Sequence, residues 1–177
     1  MHFMIYEPQE DSLLLQKYVK IYAKGRVLDI GGGGGILAET ALGERCKVVA
    51  TDISKEAVEF MKKKGINAIV SDLFENVKER FDLIIFNPPY LPEDKNEPLD
   101  SKIATTGGKK GYEIIDRFLK DAKRFLNKNG KILIVFSSLT GNVDKILQRY
   151  GYKFKCLEKK RLFFEILYVY LIEPKDI

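Results

Sequence analysis

One histidine and two cysteines in 177 residues leave this chain almost without soft metal ligands. The histidine is His2, and Cys46 and Cys156 stand alone without ligand spacing, so the chain's own side chains cannot build a zinc site. Long apolar runs are also missing. The longest, Ile166 to Ile172, falls far short of the ~18 residues of a membrane span, and no basic segment followed by an apolar stretch opens the chain. These absences predict a cytoplasmic protein with no membrane contact. No Gly-Lys-Ser/Thr occurs, which excludes a phosphate-binding P-loop. Internal repeats, low-complexity segments and interdomain linkers are lacking too. Only three glutamines accompany many Lys and Glu, a bias of heat-adapted proteins.

What remains describes one well-buried domain, residues 1–177, with an N-terminal lead and helix over 1–25 and a core over 26–177. The formal charge of +5 is modest, and the Lys runs at 62–64, 109–110 and 159–160 read as solvated faces rather than a nucleic-acid patch.

After an extended lead at Tyr6-Glu7-Pro8, Asp11 or Ser12 is a candidate N-cap for a helix carrying Leu14, Leu15, Tyr18, Val19 and Tyr22 at helical spacing, stopped by Gly25. Strand and helix then alternate. Arg26–Ile30 reads as strand 1, Gly35–Gly43 as helix, Lys47–Thr51 as strand 2, Ser54–Lys64 as helix and Asn67–Ser71 as strand 3. A short crossover near Glu75–Glu79 leads to strand 4, Phe81–Phe86. This pattern predicts an α/β fold with a parallel sheet and right-handed crossovers. A loop rich in Pro, Gly and charge spans Pro88 to about Gly111 and is long enough to suggest function. An amphipathic helix, Ile114–Leu126, precedes an Asn129-Gly130 turn and strand 5, Lys131–Phe136. A helix over Asn142–Tyr150 follows. Two final runs, Lys153–Leu162 and Phe164–Ile172, have no helix between them and are expected to pair antiparallel as strands 6 and 7.

Asn87-Pro88-Pro89-Tyr90 halts strand 4 with two consecutive prolines. Proline fixes its own φ and restricts the residue before it, so the oxygens of Asn87 and Pro88 have few directions available. An Asn side-chain oxygen and the adjacent backbone carbonyl are two acceptors able to take both hydrogens of one planar NH2 group, with the Tyr90 ring beside it. The lone pair of an amide or aromatic amine is delocalised. Two fixed acceptors on its hydrogens favour a pyramidal nitrogen with the lone pair aimed at an electrophile, which is catalysis by positioning and electrostatics. A plain strand-ending turn is the other reading of these four residues.

Gly31 to Gly35 directly follows strand 1 and opens a helix, the arrangement with which open α/β sheets bind nucleotides at a switch point. Asp52, about 20 residues on, is placed to accept from a ribose diol, or is a solvated strand-end carboxylate. Gly33, Gly35 and Ala38 also fit the spacing of a nicotinamide-cofactor turn, but Asp29 just before them disfavours a pyrophosphate and suits a cationic ligand. S-adenosylmethionine carries ammonium and sulfonium charges and no phosphate. Asp72, with Leu73, stands where it can meet the adenine amine or cap a helix.

Taken together, Asp29-Ile30-Gly31-Gly32-Gly33-Gly34-Gly35, Asp52, Asp72 and Asn87-Pro88-Pro89-Tyr90 resemble a class I S-adenosylmethionine-dependent methyltransferase of the amino-group type. More narrowly, the chain resembles the HemK family in its archaeal and eukaryotic release-factor glutamine methyltransferase branch. Tyr6 to Ser12, Gly107 to Gly111 and Asp116-Arg117-Phe118-Leu119 match that branch, and the lack of an extra N-terminal helical domain separates it from the bacterial one. Ser12 stands where Thr is more usual, and the glycine run lacks an interleaved Ser or Thr. The hydroxyl and the backbone N–H groups are retained.

The resemblance implies a Rossmann-like, mostly parallel seven-stranded sheet of order 3-2-1-4-5-7-6 with strand 7 antiparallel and helices on both faces. It implies a cofactor set of Ser12, Asp29, Gly31, Gly33, Gly35, Asp52, Ile53, Asp72, Leu73 and Asn87. The implied catalytic set is Asn87, Pro88, Pro89 and Tyr90, with no metal. The implied reaction is methyl transfer from S-adenosyl-L-methionine to the glutamine amide of the Gly-Gly-Gln segment of a translation release factor. A small zinc-binding activator is an implied partner, and edge strand 3, at Ala68-Ile69-Val70, is a place for strand addition by it. Two further readings stand beside this one. The same tip suits an exocyclic amine of adenine or guanine in DNA or RNA, with Tyr90 stacking a flipped base. Another protein substrate, or a non-catalytic cofactor-binding scaffold, is the other.

Overall fold

A computed structural model describes residues 9–94 and 105–175. The lead Tyr6-Glu7-Pro8, His2 and positions 95–104 of the long loop lie outside these residues.

The element order is α1 (Glu10–Tyr22), β1 (Arg26–Ile30), α2 (Ile36–Gly43), β2 (Lys47–Asp52), α3 (Lys55–Lys63), β3 (Ala68–Val70) and β4 (Phe81–Phe86), then α4 (Glu113–Ala122), β5 (Leu126–Ser137), α5 (Val143–Arg149), β6 (Tyr152–Arg161) and β7 (Ile166–Pro174). The strands form one sheet of order β3-β2-β1-β4-β5-β7-β6. β1 through β5 pair parallel, whereas β7 runs antiparallel to both β5 and β6. The expected order and the antiparallel final pair are both present.

Period-2 alternation along buried strands divides the core in two. Leu28, Ile30, Ile84, Phe86, Ile132, Ile134 and Phe136 face a layer with Ile115, Phe118 and Leu119 of α4 and Ile146 and Leu147 of α5. Val27, Leu83, Ile85, Leu133 and Val135 face Leu15 and Val19 of α1, Ala38 and Ala41 of α2, and Val58 and Met61 of α3. Helices therefore cover both faces, as right-handed crossovers require. Local signals set several helix starts. Ser54 accepts from the Ala57 N–H at 3.2 Å to cap α3, and Asn142 accepts from the Lys145 N–H at 3.0 Å to cap α5.

Four elements depart from expectation at their ends. One is β7, which runs Ile166–Pro174 rather than Phe164–Ile172, because the Leu162 N–H to Glu165 C=O bond takes Phe163 and Phe164 into a turn. α1 begins one residue before Asp11, with Gln9 at the N-cap position, so neither Asp11 nor Ser12 caps it. Both lie in its first turn and are buried; partners from the β4 tip bond to each side chain, and Asp11 Oδ1 also accepts from the Ser12 N–H at 2.6 Å. The amphipathic helix stops at Ala122 and continues as a short 3₁₀ turn, Lys123–Phe125. β5 starts early at Leu126, but its ladder with β4 jumps from Phe81↔Leu126 to Leu83↔Lys131. Residues 127–130 loop out there, with Asn129 at φ +65°, as the Asn-Gly signal predicts. Between β3 and β4 the chain makes only turns, Glu75 N–H to Asp72 C=O and Val77 N–H to Phe74 C=O. Among the described residues no helix is long and apolar enough to cross a membrane.

Candidate active site

The carboxyl ends of β1, β2, β3 and β4 converge on a cavity of about 540 Å³. Its lining includes Ser12, Gly31, Gly33, Asp52, Ile53, Asp72, Leu73, Asn87, Pro88, Pro89 and Tyr90. Asp29, in β1 just before the glycine turn, and Gly35, at the end of that turn, are the two candidate residues outside the lining.

The turn is built by backbone geometry. Gly31, Gly33 and Gly35 adopt φ of +67°, +51° and +83°, a region that side-chain-bearing residues rarely visit. A Cβ on Gly35 would also stand 2.7 Å from Ile66 Cδ1, so the same glycine lets α2 approach the loop before β3. Asp52 anchors the turn from the next strand: Oδ2 accepts from the Gly33 N–H at 2.9 Å and Oδ1 from the Ser54 N–H at 2.9 Å. Each oxygen keeps a second lone pair. Asp72 takes an ion pair from Arg117 at 2.8 Å, which draws α4 into the cavity wall.

Asp29 is 1% exposed, and neither of its oxygens has a hydrogen-bond partner. Burial pushes its carboxyl up to about 7; the nearby Ala38 amide, outside hydrogen-bond geometry, opposes the rise and the Asp52 charge adds to it. A buried, unpartnered carboxyl beside an open cavity is in search of a cation.

The second half of the cavity is the tip after β4. Asn87 Nδ2 donates to Ser12 Oγ at 3.0 Å, which fixes the amide plane, and its Oδ1 is buried with no partner. Tyr90 donates its hydroxyl to Asp11 Oδ2 at 3.1 Å. The first turn of α1 therefore holds the side chains of both Asn87 and Tyr90. From the other side, Leu91 exchanges backbone hydrogen bonds with Thr105 and Gly107 at 2.9 Å each. A Cβ on Gly107 would lie 2.1 Å from the Gly111 carbonyl oxygen and 2.7 Å from that of Pro89, so only glycine lets this return strand close on the tip.

Arg117, Thr105, Thr106 and Glu165 also line the cavity. Arg117 lies in the Asp116-Arg117-Phe118-Leu119 segment that carries the resemblance, without a site role implied for it, and no sequence motif points to the other three. Glu165 follows a two-residue turn between β6 and β7 and reaches the site only because β7 reverses beside β5. Asp11 had a signal, its proximity to Ser12, but was read as a cap.

A seven-stranded sheet in this order, with a glycine turn where the strand order reverses and a polar tip after β4, defines a class I methyltransferase dependent on S-adenosylmethionine. An S-adenosylmethionine-dependent methyltransferase from Bacteroides fragilis, solved with S-adenosyl-L-homocysteine, shares this fold with a TM-score of 0.65 at 18% identity, over 97% of this chain and 79% of that one. The chain belongs to the methyltransferase small domain family, which matches residues 9–167. A Methanocaldococcus jannaschii chain bearing the name "Putative protein N5-glutamine methyltransferase" is 39% identical over 180 residues, 96% of this chain and 91% of that one. The release factor glutamine methyltransferase of Aquifex aeolicus is 30% identical over 158 residues, and the match takes in 78% of this chain and 56% of that protein. The Mtq2–Trm112 complex of E. cuniculi, responsible for methylation of the eRF1 translation termination factor, superimposes with a TM-score of 0.76 at 30% identity, over 96% of this chain and 98% of that one.

Proposed function

We propose that this chain transfers a methyl group from S-adenosylmethionine to the side-chain amide nitrogen of a glutamine in a translation termination factor, within its Gly-Gly-Gln segment. The observation that carries the reading is Asn87: its nitrogen is anchored by Ser12, and its oxygen is buried, unpartnered and at the cavity wall. A buried acceptor without a donor costs about 1–3 kcal/mol, which a ligand N–H recovers. An NH2 group offers two such hydrogens, one for Asn87 Oδ1 and one for the Pro88 carbonyl.

The cofactor, when bound, supplies a methyl group on a positively charged sulfur. The glycine turn admits it without Cβ obstruction, Asp52 retains lone pairs for a ribose diol, and Asp29 supplies a buried carboxylate to a cationic ligand. Asp72, already paired with Arg117, and Leu73 border the adenine end. Ser12 and Asp11 hold Asn87 and Tyr90 in place, so the acceptor nitrogen meets fixed groups and no reorganisation is needed as charge develops. No strong base is required, because the nitrogen becomes acidic as it is methylated. The relatives named for glutamine methylation support an amide as the acceptor rather than a nucleobase amine.

A small zinc-binding activator protein is part of this proposal; the Mtq2–Trm112 complex of E. cuniculi supports a protein partner, and its zinc-binding character comes from the family resemblance. Among the described residues β3 pairs only with β2; it has three residues and ends in exposed Val70, opposite Asp52 and so beside exposed Ile53. Strand addition at Ala68-Ile69-Val70 would satisfy that edge.

The test is methyl transfer from labelled S-adenosylmethionine to a purified release factor and to its Gln-to-Ala variant, each with and without the zinc-binding partner. Label on the wild-type factor alone is the expected result. Label on neither, from folded protein with cofactor bound, would overturn the substrate assignment.

A further inference from the structure

Phe163 and Phe164 are 93% and 85% exposed, the highest values for any large apolar side chain among the described residues, and their rings meet edge to face at 4.7 Å. Exposed apolar clusters of this kind mark interaction surfaces, and rigid aromatics are enriched among the residues that dominate binding. They form the tip of the turn between β6 and β7, closed by the Leu162 N–H donating to the Glu165 carbonyl at 2.8 Å.

The position of this turn follows from topology. β7 runs antiparallel to β5 with Leu167 opposite Ser137, so the turn stands at the same edge of the sheet at which β4 ends in Asn87. It is fastened there: Ser138 N–H donates to the Ile166 carbonyl at 2.8 Å, and Ile166 N–H to Ser138 Oγ at 3.1 Å. Lys160, just before the turn, pairs with Glu10 in the helix turn that holds Asn87 and Tyr90. Glu165, next to Phe164, lines the cavity itself. A macromolecule that delivers a side-chain amide to Asn87 therefore approaches the end of the sheet at which this turn stands.

We propose that Phe163 and Phe164 are the docking surface for the body of the protein substrate, inserting into an apolar recess of the release factor while its glutamine occupies the cavity. The inference rests on the function proposed above. The surroundings favour protein over nucleic acid. Half-exposed Leu139 follows the Ser138 fastening, and half-exposed Leu13 shares a helix face with Glu10 and Lys17, both of which reach β6, so the patch continues in aliphatic groups. The Glu165 carboxylate between the patch and the cavity opposes a phosphate backbone. Exposed Lys159 and Arg161 on the flank match an acidic rim on the partner.

The experiment compares wild type with a Phe163→Ser/Phe164→Ser double variant on two acceptors, the intact release factor and a short peptide carrying Gly-Gly-Gln. For the intact factor, KM is expected to rise at least about tenfold with kcat unchanged, as for loss of a binding hot spot. Peptide kinetics and cofactor affinity are expected to stay the same, and a Phe163→Tyr/Phe164→Tyr variant to restore KM. Wild-type turnover with an unaltered KM in the double variant would overturn the docking surface alone. Equal losses on factor and peptide would also overturn it, since they signal damage to the cavity. A double variant that loses affinity for an RNA oligonucleotide and keeps its factor kinetics would assign the turn to nucleic acid instead. Wild type that methylates neither acceptor would sink the substrate reading and this docking partner with it.

Discussion

The two halves of the cavity are held together differently. On the cofactor side, Asp52 is locked by N–H groups 19 and two residues away, at Gly33 and Ser54. On the acceptor side, Asn87 is locked by Ser12 across 75 residues and Tyr90 by Asp11 across 79. The first half is assembled by neighbouring loops of consecutive β-α units. The second exists only once α1 has packed against the sheet. Both halves nevertheless leave buried oxygens unmet: Asp29 in β1 and Thr51 in β2 on the cofactor side, Asn87 at the tip, and Glu165 in the cavity wall. A fold tolerates such groups where a ligand completes them.

If the halves are functionally separate, Asn87→Ala strikes the acceptor side only. Turnover is expected to fall about 10²–10³-fold, the scale of losing one preorganised transition-state contact, with cofactor affinity within about twofold of wild type. Single-turnover methyl transfer and calorimetric titration with S-adenosylmethionine measure the two; equal loss of both would erase the distinction.

Asp29→Asn tests the other side through pH. The folded-state carboxyl, raised to about 7 by burial, ionises later than in the unfolded chain, where it titrates near ~4. Below pH ~4 the group is protonated in both states and contributes nothing. As pH rises the unfolded state loses its proton first, so ligand-free protein loses stability until about pH 7, by roughly 4 kcal/mol at full extent. Denaturant midpoints from pH 4 to 8 are expected to decline in wild type from this contribution and to lack it in the variant. Cofactor affinity, by linkage, should climb with pH towards 7 in wild type and lose that dependence in Asp29→Asn.

Gly107→Ala brings a methyl group against the Pro89 and Gly111 carbonyls and displaces the tip from outside. A kcat loss of about 10–100-fold with unchanged cofactor affinity is expected, since misplacement by about an ångström carries such a cost. A melting temperature lowered with kcat intact would show the return strand to be structural alone.

Ser12→Ala has the smallest expected effect, because Asn87 keeps its backbone restraint from Pro88. About a tenfold lower kcat is expected, the scale of one hydrogen bond, and it should not add to the loss in Asn87→Ala. Full additivity in that cycle would mean that Ser12 acts elsewhere, on the cofactor.

Much of this was legible before any coordinates. Alternating apolar runs, the glycine run and the Pro-Pro stop are local signals, and they placed most elements and all of the motif residues. The errors arose where a distant partner outweighed a local preference. Asp11 and Ser12 are good N-cap residues that moved one turn inward because Tyr90 and Asn87 offered them hydrogen bonds. Leu126 joined β5 because β4 offered it a ladder position at Phe81, and residues 127–130 loop out between it and Lys131. Glu165 carried no readable signal, since a lone charged residue in a turn is ordinary in sequence, and Arg117 stood in a recognised segment whose residues do not show that it would pair with Asp72.

By itself, then, the sequence determined the class of fold, the glycine turn and the rigidity of Asn87-Pro88-Pro89-Tyr90, because φ restriction, periodicity and side-chain chemistry are properties of residues and their near neighbours. Tertiary structure alone decided which oxygens go unpaired, that α1 clamps the acceptor tip, that Arg117 takes Asp72, and that Phe163 and Phe164 stand exposed beside the cavity. Those outcomes depend on which strands lie side by side and in which direction, and a β-α chain settles that only when its two apolar layers close over the sheet.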